Sequence, residues 1–291
     1  MQANKIRLIA LDLDGTLLNS KGEITPPNRR AIETARAQGI LVALATGRRF
    51  RDARPMAIDL GLDLPLISHN GALTKHARSL ETVSVKLLPL PEAREIIRLG
   101  HSLAADPMVS DDPEGLGTIV YDHVGEQNKA LAAYLAWSKR VSDDIGQDAV
   151  RQVASLEEYL DHSPVHIAFS GSCEQMELVA AGISEALGVR VQIHKTIYKK
   201  MDFTLIDILH PNASKGTGLE AVANEYAISA REVMSIGDNF NDLEMLRYAG
   251  IGVVMGNADQ SLLEIDGLYV TANNDLDGVA LAIEKFALGM S

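Results

Sequence analysis

The sequence predicts an α/β protein with a doubly wound parallel-sheet core and an inserted α+β domain. Short apolar runs alternate with helical segments in the first third of the chain, and the same alternation returns after Pro211. The middle of the chain shows pairs of strands between helices instead. Strand–helix–strand repeats favour a parallel sheet with right-handed crossovers, whereas strand pairs favour a mixed or antiparallel sheet. One domain interrupted by another accounts for both patterns.

In the first third, the apolar run from Ile6 to Leu11 is typical of a strand buried on both faces. The helix that follows has clear ends. Thr25 can cap it, Pro26 suits its first position and Gly39 suits its end. The same criteria predict a strand, a helix and a strand at residues 40–45, 50–60 and 64–68.

The middle of the chain is predicted to alternate helices with short strands. Strands are expected at residues 84–88, 108–111, 118–121, 166–170, 189–194 and 203–208, and helices at residues 91–105, 129–139 and 174–187. We expect one mixed or antiparallel sheet with its helices on one side. The segment from Ser142 to Leu160 gives no clear pattern.

The parallel-sheet pattern resumes with a helix that Ser214 can cap. Strands are predicted at residues 233–237 and 251–255, a helix between them, and a last helix at residues 276–288. The sequence therefore predicts a core domain at residues 1–83 and 208–291. The inserted domain is predicted at residues 84–207 and is expected to select the substrate.

Composition limits the function. The chain has 291 residues, a formal net charge of −12 and 46% hydrophobic residues, which is globular composition. The acidic balance argues against nucleic acid and an anionic membrane surface as partners. A single cysteine, Cys173, fits a reducing compartment, and neither a signal peptide nor a membrane-spanning run is evident. We therefore expect a cytoplasmic monomer or small homo-oligomer that acts on a small molecule.

Polar side chains follow several predicted strands, where an open parallel sheet binds its ligands. They are Asp12 and Asp14, Thr46 and Arg48, Asn70, and Asp238 and Asp242, while Lys215 begins a helix. Carboxylates gathered at one edge repel each other unless a hard cation lies among them. Oxygen ligands without histidine or cysteine favour Mg²⁺ over zinc or copper.

This pattern favours phosphoryl transfer to a carboxylate. A phosphate ester repels an anionic nucleophile, and Mg²⁺ between them cancels that repulsion. A lysine and a threonine hydroxyl would hold the phosphoryl oxygens, and a second carboxylate would protonate the leaving oxygen. Asp12 and Asp14 suit the two carboxylate roles, and Gly15 would let the chain turn so that both point into one crevice.

Four segments resemble, in order, the motifs of the haloacid dehalogenase superfamily of phosphatases. They are Asp12-Leu13-Asp14-Gly15-Thr16, Thr46-Gly47-Arg48, Ser214-Lys215-Gly216 and Gly237-Asp238-Asn239-Phe240-Asn241-Asp242. The insert between the second and third motifs, preceded by Asn70-Gly71-Ala72, resembles that of the Cof-like hydrolases, which carry a type-II α/β cap. The resemblance covers nearly the whole chain. The cap matches only in length and rhythm, so the resemblance does not extend to the substrate.

The resemblance implies a role for each motif residue. Asp12 would be the nucleophile that forms an aspartyl-phosphate, and Asp14 the general acid and base. Mg²⁺ would be bound by Asp12, by the main-chain oxygen of Asp14 and by Asp238. Asp242 would orient a metal-bound water or Lys215.

The remaining motif residues would bind a small phosphorylated metabolite. The phosphoryl group would be held by the backbone N–H groups of Leu13 and Gly47, the Thr46 hydroxyl, Lys215 and Asn241. Arg48 and Asn70 would contact the substrate or the cap.

Other interpretations stay open. Acidic residues at strand ends can be turn formers or helix caps, and this holds most of all for Asp242. A phosphomutase or phosphotransferase would use the same core with a sugar hydroxyl as acceptor, and a phosphate-sensing protein would bind without turnover. In the insert, His162, His166, His194, Lys195, Lys199 and Lys200 could reach a substrate or be ordinary residues of the sheet and its loops.

Overall fold

A computed structural model of the chain describes residues 5–126, 128–142 and 148–290. The chain divides into two units. We call them the core unit, Met1–Ser84 with Ser214–Ser291, and the insert unit, Val85–Ala213.

The helices and strands follow the predicted alternation. The chain begins with β1 (Leu8–Leu11), α1 (Pro26–Ala37), β2 (Leu41–Leu44), α2 (Phe50–Asp59), β3 (Pro65–Ser68), β4 (Leu73–His76) and β5 (Thr82–Val85). The insert unit adds α3 (Leu90–Ser102), β6 (Met108–Asp111), β7 (Thr118–Tyr121), α4 (Lys129–Ser142), β8 (Val150–Gln152), α5 (Leu156–Tyr159), β9 (His166–Gly171), α6 (Cys173–Leu187), β10 (Gln192–Tyr198) and β11 (Phe203–Leu209). The chain ends with α7 (Lys215–Glu225), β12 (Val233–Gly237), α8 (Leu243–Tyr248), β13 (Ile251–Val254), α9 (Gln260–Leu263), β14 (Tyr269–Val270) and α10 (Gly278–Phe286).

The core unit contains the predicted parallel sheet, with strand order β14-β13-β12-β1-β2. Every residue of β1 is buried, as its unbroken apolar run predicts. Because β1 and β12 are parallel neighbours, the residues that follow them lie at the same edge of the sheet. This topology brings the first and fourth motifs together.

The third predicted strand, β3, joins this sheet only at its border. Ala45 and Ile67 form a single parallel bridge, and the backbone N–H of Thr46 donates to the Ile67 oxygen at 2.8 Å. Beyond that point β3 pairs antiparallel with β4, because Asn70 and Gly71 turn the chain back with φ angles of 52° and 87°. The turn holds Asn70 near the residues that follow β2.

The insert unit contains a six-stranded mixed sheet, in the order β10-β11-β9-β6-β7-β8. Only β7 and β8 run parallel among its described strand pairs. The prediction that its helices lie on one side is wrong. On β9, Ile167 and Phe169 face a core formed with α3, α5 and α6, whereas Ala168 packs with Leu131 and Leu135 of α4. Ala168 is buried on the face opposite Ile167 and Phe169, and helices cover both faces of β9.

The insert unit also ends later than the predicted border at residue 207. In β11, Ile208 pairs with Ile167 and Leu209 pairs with Gln192, so the sheet continues past that border and the unit ends at Ala213. The unassigned segment 142–160 contains β8 and α5, and residues 143–147 within it lie outside the described part of the chain.

None of the helices that the structure describes combines the length and the hydrophobicity that a membrane crossing requires.

Alanine substitutions at two glycines of the insert unit should change the free energy of unfolding in different ways. A Cβ on Gly100 in α3 would lie 2.3 Å from Cε1 of Phe169, whereas a Cβ on Gly182 in α6 would lie 3.4 Å from Cδ1 of Leu103, an ordinary contact. Gly100→Ala should therefore lower the free energy of unfolding by about 1–3 kcal/mol through overpacking. Gly182→Ala should leave it unchanged or raise it by up to about 1 kcal/mol, since helix propensity favours alanine. Urea unfolding of both variants checks this, and equal effects at the two positions would contradict it.

Candidate active site

The site begins with a buried lysine between two aspartates. Nζ of Lys215 donates to Oδ1 of Asp12 at 2.6 Å and to Oδ1 of Asp242 at 2.6 Å. Lys215 is only 1% exposed and Asp12 only 4%, so these charges depend on one another for stabilisation. Lys215 is therefore a buried charged residue and not a solvated residue of the helix surface.

The start of α7 fixes the position of Lys215. Ser214 caps the helix: its Oγ accepts from the backbone N–H of Thr217 at 3.1 Å, and the Thr217 hydroxyl accepts from the Ser214 N–H at 3.2 Å. A Cβ on Gly71 would lie 1.9 Å from the Ser214 main-chain oxygen, so glycine lets the turn after β3 pack directly on this cap. Lys215 is therefore held against the sheet at the first position of its helix.

Asp242 uses both oxygens to organise the fourth motif. Its Oδ1 contacts Lys215, and its Oδ2 accepts from the backbone N–H groups of Asp238 and Asn239, each at 3.0 Å. A Cβ on Gly237 would lie 2.5 Å from Cβ of Asp242, so the turn after β12 can close only around glycine. The side chain of Asp242 is thus a hydrogen-bond acceptor for the loop as well as an ion-pair partner.

Asp238 lies against the loop that follows β1. Its Oδ1 accepts from the Thr16 hydroxyl at 3.0 Å. Gly15 has a φ of +82°, and a Cβ there would lie 2.2 Å from Oδ2 of Asp238. Gly15 therefore does more than turn the chain, since its missing side chain leaves room for a carboxylate.

Crowding of these carboxylates changes their acidity. Burial raises the pKa of Asp12 well above its usual range, and the nearby charges of Asp242 and Asp238 add to this effect. Burial, together with the charge of Asp242, raises the pKa of Asp238 to about 6. Burial alone would lower the pKa of Lys215, but Asp12 and Asp242 outweigh it and raise that pKa.

The same crowding suits a divalent cation. Oxygens of Asp12, Asp238 and Asp242 lie within 4.8 Å of one another. With Lys215 included, the ionised set has three carboxylates and one ammonium, a net charge of −2. All donors are oxygens, which is the ligand chemistry of a hard cation such as Mg²⁺.

Asp14 does not point into this cluster. Arg48 donates two hydrogen bonds to it, from Nε to Oδ2 at 2.7 Å and from Nη2 to Oδ1 at 2.5 Å. The Asp14 side chain is 56% exposed and that of Arg48 is 35% exposed. Asp14 is therefore paired with Arg48 in the arrangement seen here and lies outside the cluster of Asp12, Asp238 and Asp242. No described residue donates a hydrogen bond to the main-chain oxygen of Asp14.

The remaining predicted residues, Thr46, Gly47, Asn70 and Asn241, are joined to one another by close contacts. The Thr46 hydroxyl accepts from the backbone N–H of Arg48 at 3.1 Å, and the Thr46 main-chain oxygen accepts from the Asn70 N–H at 3.1 Å. Nδ2 of Asn241 donates to Oδ1 of Asn70 at 2.9 Å. A Cβ on Gly47 would lie 3.1 Å from that same Asn70 oxygen. Asn70 thus links the second motif to the fourth.

Comparison with known proteins identifies the family. The sequence model of haloacid dehalogenase-like hydrolases matches residues 9–283. The chain belongs to this family. The resemblance seen in the sequence motifs is thereby confirmed, together with the fold class.

Two relatives of this haloacid dehalogenase-like hydrolase carry the names of phosphatases with a stated substrate. The 5-amino-6-(5-phospho-D-ribitylamino)uracil phosphatase YwtE of Bacillus subtilis (strain 168) is 29% identical, over 98% of this chain and 99% of that protein. The pyridoxal phosphate phosphatase YbhA of Escherichia coli (strain K12) is 28% identical, over 94% of this chain and 96% of that protein. A solved structure of a haloacid dehalogenase-like hydrolase from Bacteroides thetaiotaomicron is 27% identical, with a TM-score of 0.78 over 97% of this chain and 99% of that one.

This haloacid dehalogenase-like hydrolase is therefore a phosphatase, a phosphoric monoester hydrolase that acts on phosphorylated substrates. Phosphatases of the superfamily use a divalent metal, and the cluster of Asp12, Asp238 and Asp242 is an acidic group of the kind that can hold one.

Two contributors to the site escaped the sequence reasoning. Thr16 is the last residue of the first motif, and its fully buried side chain donates to Asp238. Asn257 follows β13, and its Nδ2 donates to the Gly15 main-chain oxygen at 2.8 Å. Its position after a strand of the parallel sheet was the one sequence signal that could have found it.

Removal of the buried lysine charge should destabilise the core unit. Lys215→Met would leave Asp12 and Asp242 buried without their cation, which costs about 3–5 kcal/mol when a buried ion pair is broken. The free energy of unfolding in urea, measured with a chelator present, should fall by that amount. Lys21→Met, at an exposed position, is the control and should change it by less than about 0.5 kcal/mol. A loss of under about 1 kcal/mol for Lys215→Met would show that the cluster does not depend on this charge.

Proposed function

We propose that the protein is a Mg²⁺-dependent phosphatase that hydrolyses the phosphate monoester of a small metabolite, a sugar phosphate or a phosphorylated cofactor, through an aspartyl-phosphate on Asp12. The observation that carries the proposal is the contact of Asp12 with Lys215 beside Asp238. This contact puts a buried carboxylate, an ammonium and a second carboxylate within reach of one bound anion and one cation.

Mg²⁺ fits the donors of this site. We assign its ligands to the carboxylates of Asp12 and Asp238 and to the main-chain oxygen of Asp14. No residue that the structure describes donates a hydrogen bond to that main-chain oxygen, which supports the assignment. Asp242 is assigned an orienting role, since both of its oxygens already accept hydrogen bonds. When bound, Mg²⁺ would offset the negative charge of the nucleophile and of the phosphate.

The proposed reaction has two steps. In the first, an oxygen of Asp12 forms a bond to phosphorus while the ester P–O bond breaks, and the leaving oxygen takes a proton from Asp14. In the second, a water molecule gives a proton to Asp14, its oxygen bonds to phosphorus, and the P–O bond to Asp12 breaks. Lys215 balances charge on the phosphoryl oxygens in both steps.

Neutral donors would orient the phosphoryl group. We assign this role to the Thr46 hydroxyl, the backbone N–H groups of Leu13 and Gly47, and the Asn241 amide. The contact of Asn241 with Asn70 supports it, because that contact holds one of the two amide hydrogens and leaves the other for a ligand.

Arg48 must release Asp14 before the first step. Both carboxylate oxygens of Asp14 accept hydrogen bonds from the Arg48 guanidinium, whereas the acid step requires one of these oxygens to contact the leaving oxygen. We assign Arg48 to an anionic or polar group of the bound substrate, in exchange for its contact with Asp14. The exposure of both side chains supports this exchange, because each can turn without crossing a packed core.

The choice of substrate is assigned to the insert unit. Every motif residue lies in the core unit, so the insert unit is left to supply other contacts. The substrates in the names of YwtE and YbhA, a phosphoribitylamino-uracil and pyridoxal phosphate, support a small organic phosphate as the substrate class.

Metal removal and substitution of the nucleophile test the function. A panel of small phosphate monoesters should release inorganic phosphate with Mg²⁺, lose this activity in EDTA and regain it when Mg²⁺ is restored. Asp12→Asn should reduce turnover to background, since an amide is a poor nucleophile. Wild-type protein quenched in acid during turnover should carry covalent phosphate, and Asp12→Asn should carry none. Activity that persists in EDTA or in Asp12→Asn would overturn the proposal, and accumulation of an isomeric phosphate ester would identify a phosphomutase.

The leaving group should reveal the role of Asp14. Asp14→Asn should slow hydrolysis of an alkyl phosphate by about 10²–10⁴-fold, because an alkoxide needs a proton to depart. With p-nitrophenyl phosphate the first step should survive, since nitrophenolate leaves unaided, and a burst of one nitrophenol per enzyme should precede slow turnover. Rapid-mixing kinetics measure both. Asp63→Asn, an exposed carboxylate paired with Arg78, is the control and should match wild type. Equal losses on the two substrates would exclude Asp14 as the acid.

A further inference from the structure

The loop between β1 and α1, residues 12–25, is held by a segment near the C-terminus. Nδ2 of Asn257 donates to the main-chain oxygen of Gly15 at 2.8 Å. Nδ2 of Asn274 donates to the main-chain oxygen of Leu18, also at 2.8 Å. These two amide side chains therefore donate to main-chain oxygens at two points along the loop.

Two further contacts extend this attachment along the loop. The backbone N–H of Ser20 donates to Oδ1 of Asp275 at 2.8 Å, and the Thr25 hydroxyl donates to Oδ1 of Asp277 at 2.6 Å. The loop is thus fastened from its first turn to the cap of α1.

Asn257 has a defined orientation within this network. Its Oδ1 accepts from the backbone N–H of Asn274 at 3.0 Å, so its NH₂ group must face Gly15. An aspartate at this position could still accept from the Asn274 N–H, but its second oxygen would face the Gly15 oxygen and could not donate to it. The position therefore requires an amide, not merely a polar side chain.

The peptide that Asn257 holds also touches the metal-binding aspartate. The Gly15 Cα lies so close to Asp238 that no Cβ fits, and the next residue, Thr16, donates to Asp238 at 3.0 Å. The Gly15–Thr16 peptide is therefore fixed on one side by Asn257 and on the other by Asp238. Asp14 immediately precedes it.

We propose that Asn257 is a positioning residue for the phosphatase reaction, which acts through the Gly15–Thr16 peptide to set the places of Asp14 and Asp238. The inference rests on the proposed function. It adds that the reaction depends on a side chain that touches neither the phosphate nor the metal. Misplacement of reacting groups by a fraction of an ångström to 1 Å is enough to slow an enzyme by one to two orders of magnitude.

The test compares Asn257→Ala and Asn257→Asp with Gln260→Ala. Gln260 offers a matched control, because its amide contacts Glu264, directly after its own helix, and not the loop. Both Asn257 variants should lower kcat by about tenfold or more with KM within about threefold of wild type. Gln260→Ala should keep both constants. Thermal midpoints of all three variants should stay within about 3 °C of wild type, since Asn257 is exposed.

Amide hydrogen exchange supplies a readout that needs no activity. Loss of the Gly15 contact should speed exchange in peptides covering residues 13–24 by about fivefold, the factor expected for one ordinary hydrogen bond. Asn257→Ala should also speed exchange around Asn274, whose N–H loses its acceptor, whereas Asn257→Asp keeps that acceptor. Wild-type exchange in that loop, or a kcat within twofold of wild type for both Asn257 variants, would overturn the inference. The same kinetic loss in Gln260→Ala would overturn it too. The proposed function is judged separately, by the wild-type protein and Asp12→Asn.

Discussion

The arrangement of the site depends on one buried ion-pair triad. Nζ of Lys215 lies 2.6 Å from an oxygen of Asp12 and 2.6 Å from an oxygen of Asp242, although 203 residues of chain separate Asp12 from Lys215. A charge in such surroundings is tolerated only when it is paired, and breaking the pair costs several kcal/mol. The triad therefore fixes the start of α7 relative to the ends of β1 and β12. The same contact keeps Asp12 next to a positive charge, which a carboxylate needs if it is to accept an anionic phosphate.

Close packing around glycines gives the triad its geometry. Gly15, Gly71 and Gly237 each lie where a Cβ would come within 2.5 Å of a site carboxylate or of the cap of α7. These contacts bring backbone and carboxylates closer than side-chain packing would allow. Burial, together with the resulting excess of negative charge, raises the pKa of Asp12 and of Asp238. Carboxylates that lie this close together and repel each other are typical of a site that binds a divalent cation, because the cation offsets their repulsion.

The sequence predicted the parallel sheet well, because buried strands such as β1 have unbroken apolar runs and α1 has both of its end signals. It placed the four motifs at one sheet edge because topology alone does so. It could not predict that Arg48 contacts Asp14, since either side chain could equally face a ligand. It also missed Asn257, whose role depends on a contact across 242 residues. In the insert unit, the prediction that the helices share one side fails for α4, because the residue pattern of β9 does not show which helix covers which face.

The roles proposed for the two units rest on which unit holds the motif residues. The core unit holds every motif residue. Within it, Asp12, Lys215 and Asp242 are joined by hydrogen bonds, and Asp242 also accepts from the loop after β12, so a substitution at one of these positions disturbs the others. The insert unit has its own hydrophobic core and contributes none of these residues. Substitutions there can alter its surface without disturbing the buried charges. YwtE and YbhA align with 94% or more of this chain, yet their names give different substrates. A conserved reaction in the core unit and a variable insert unit would account for that combination.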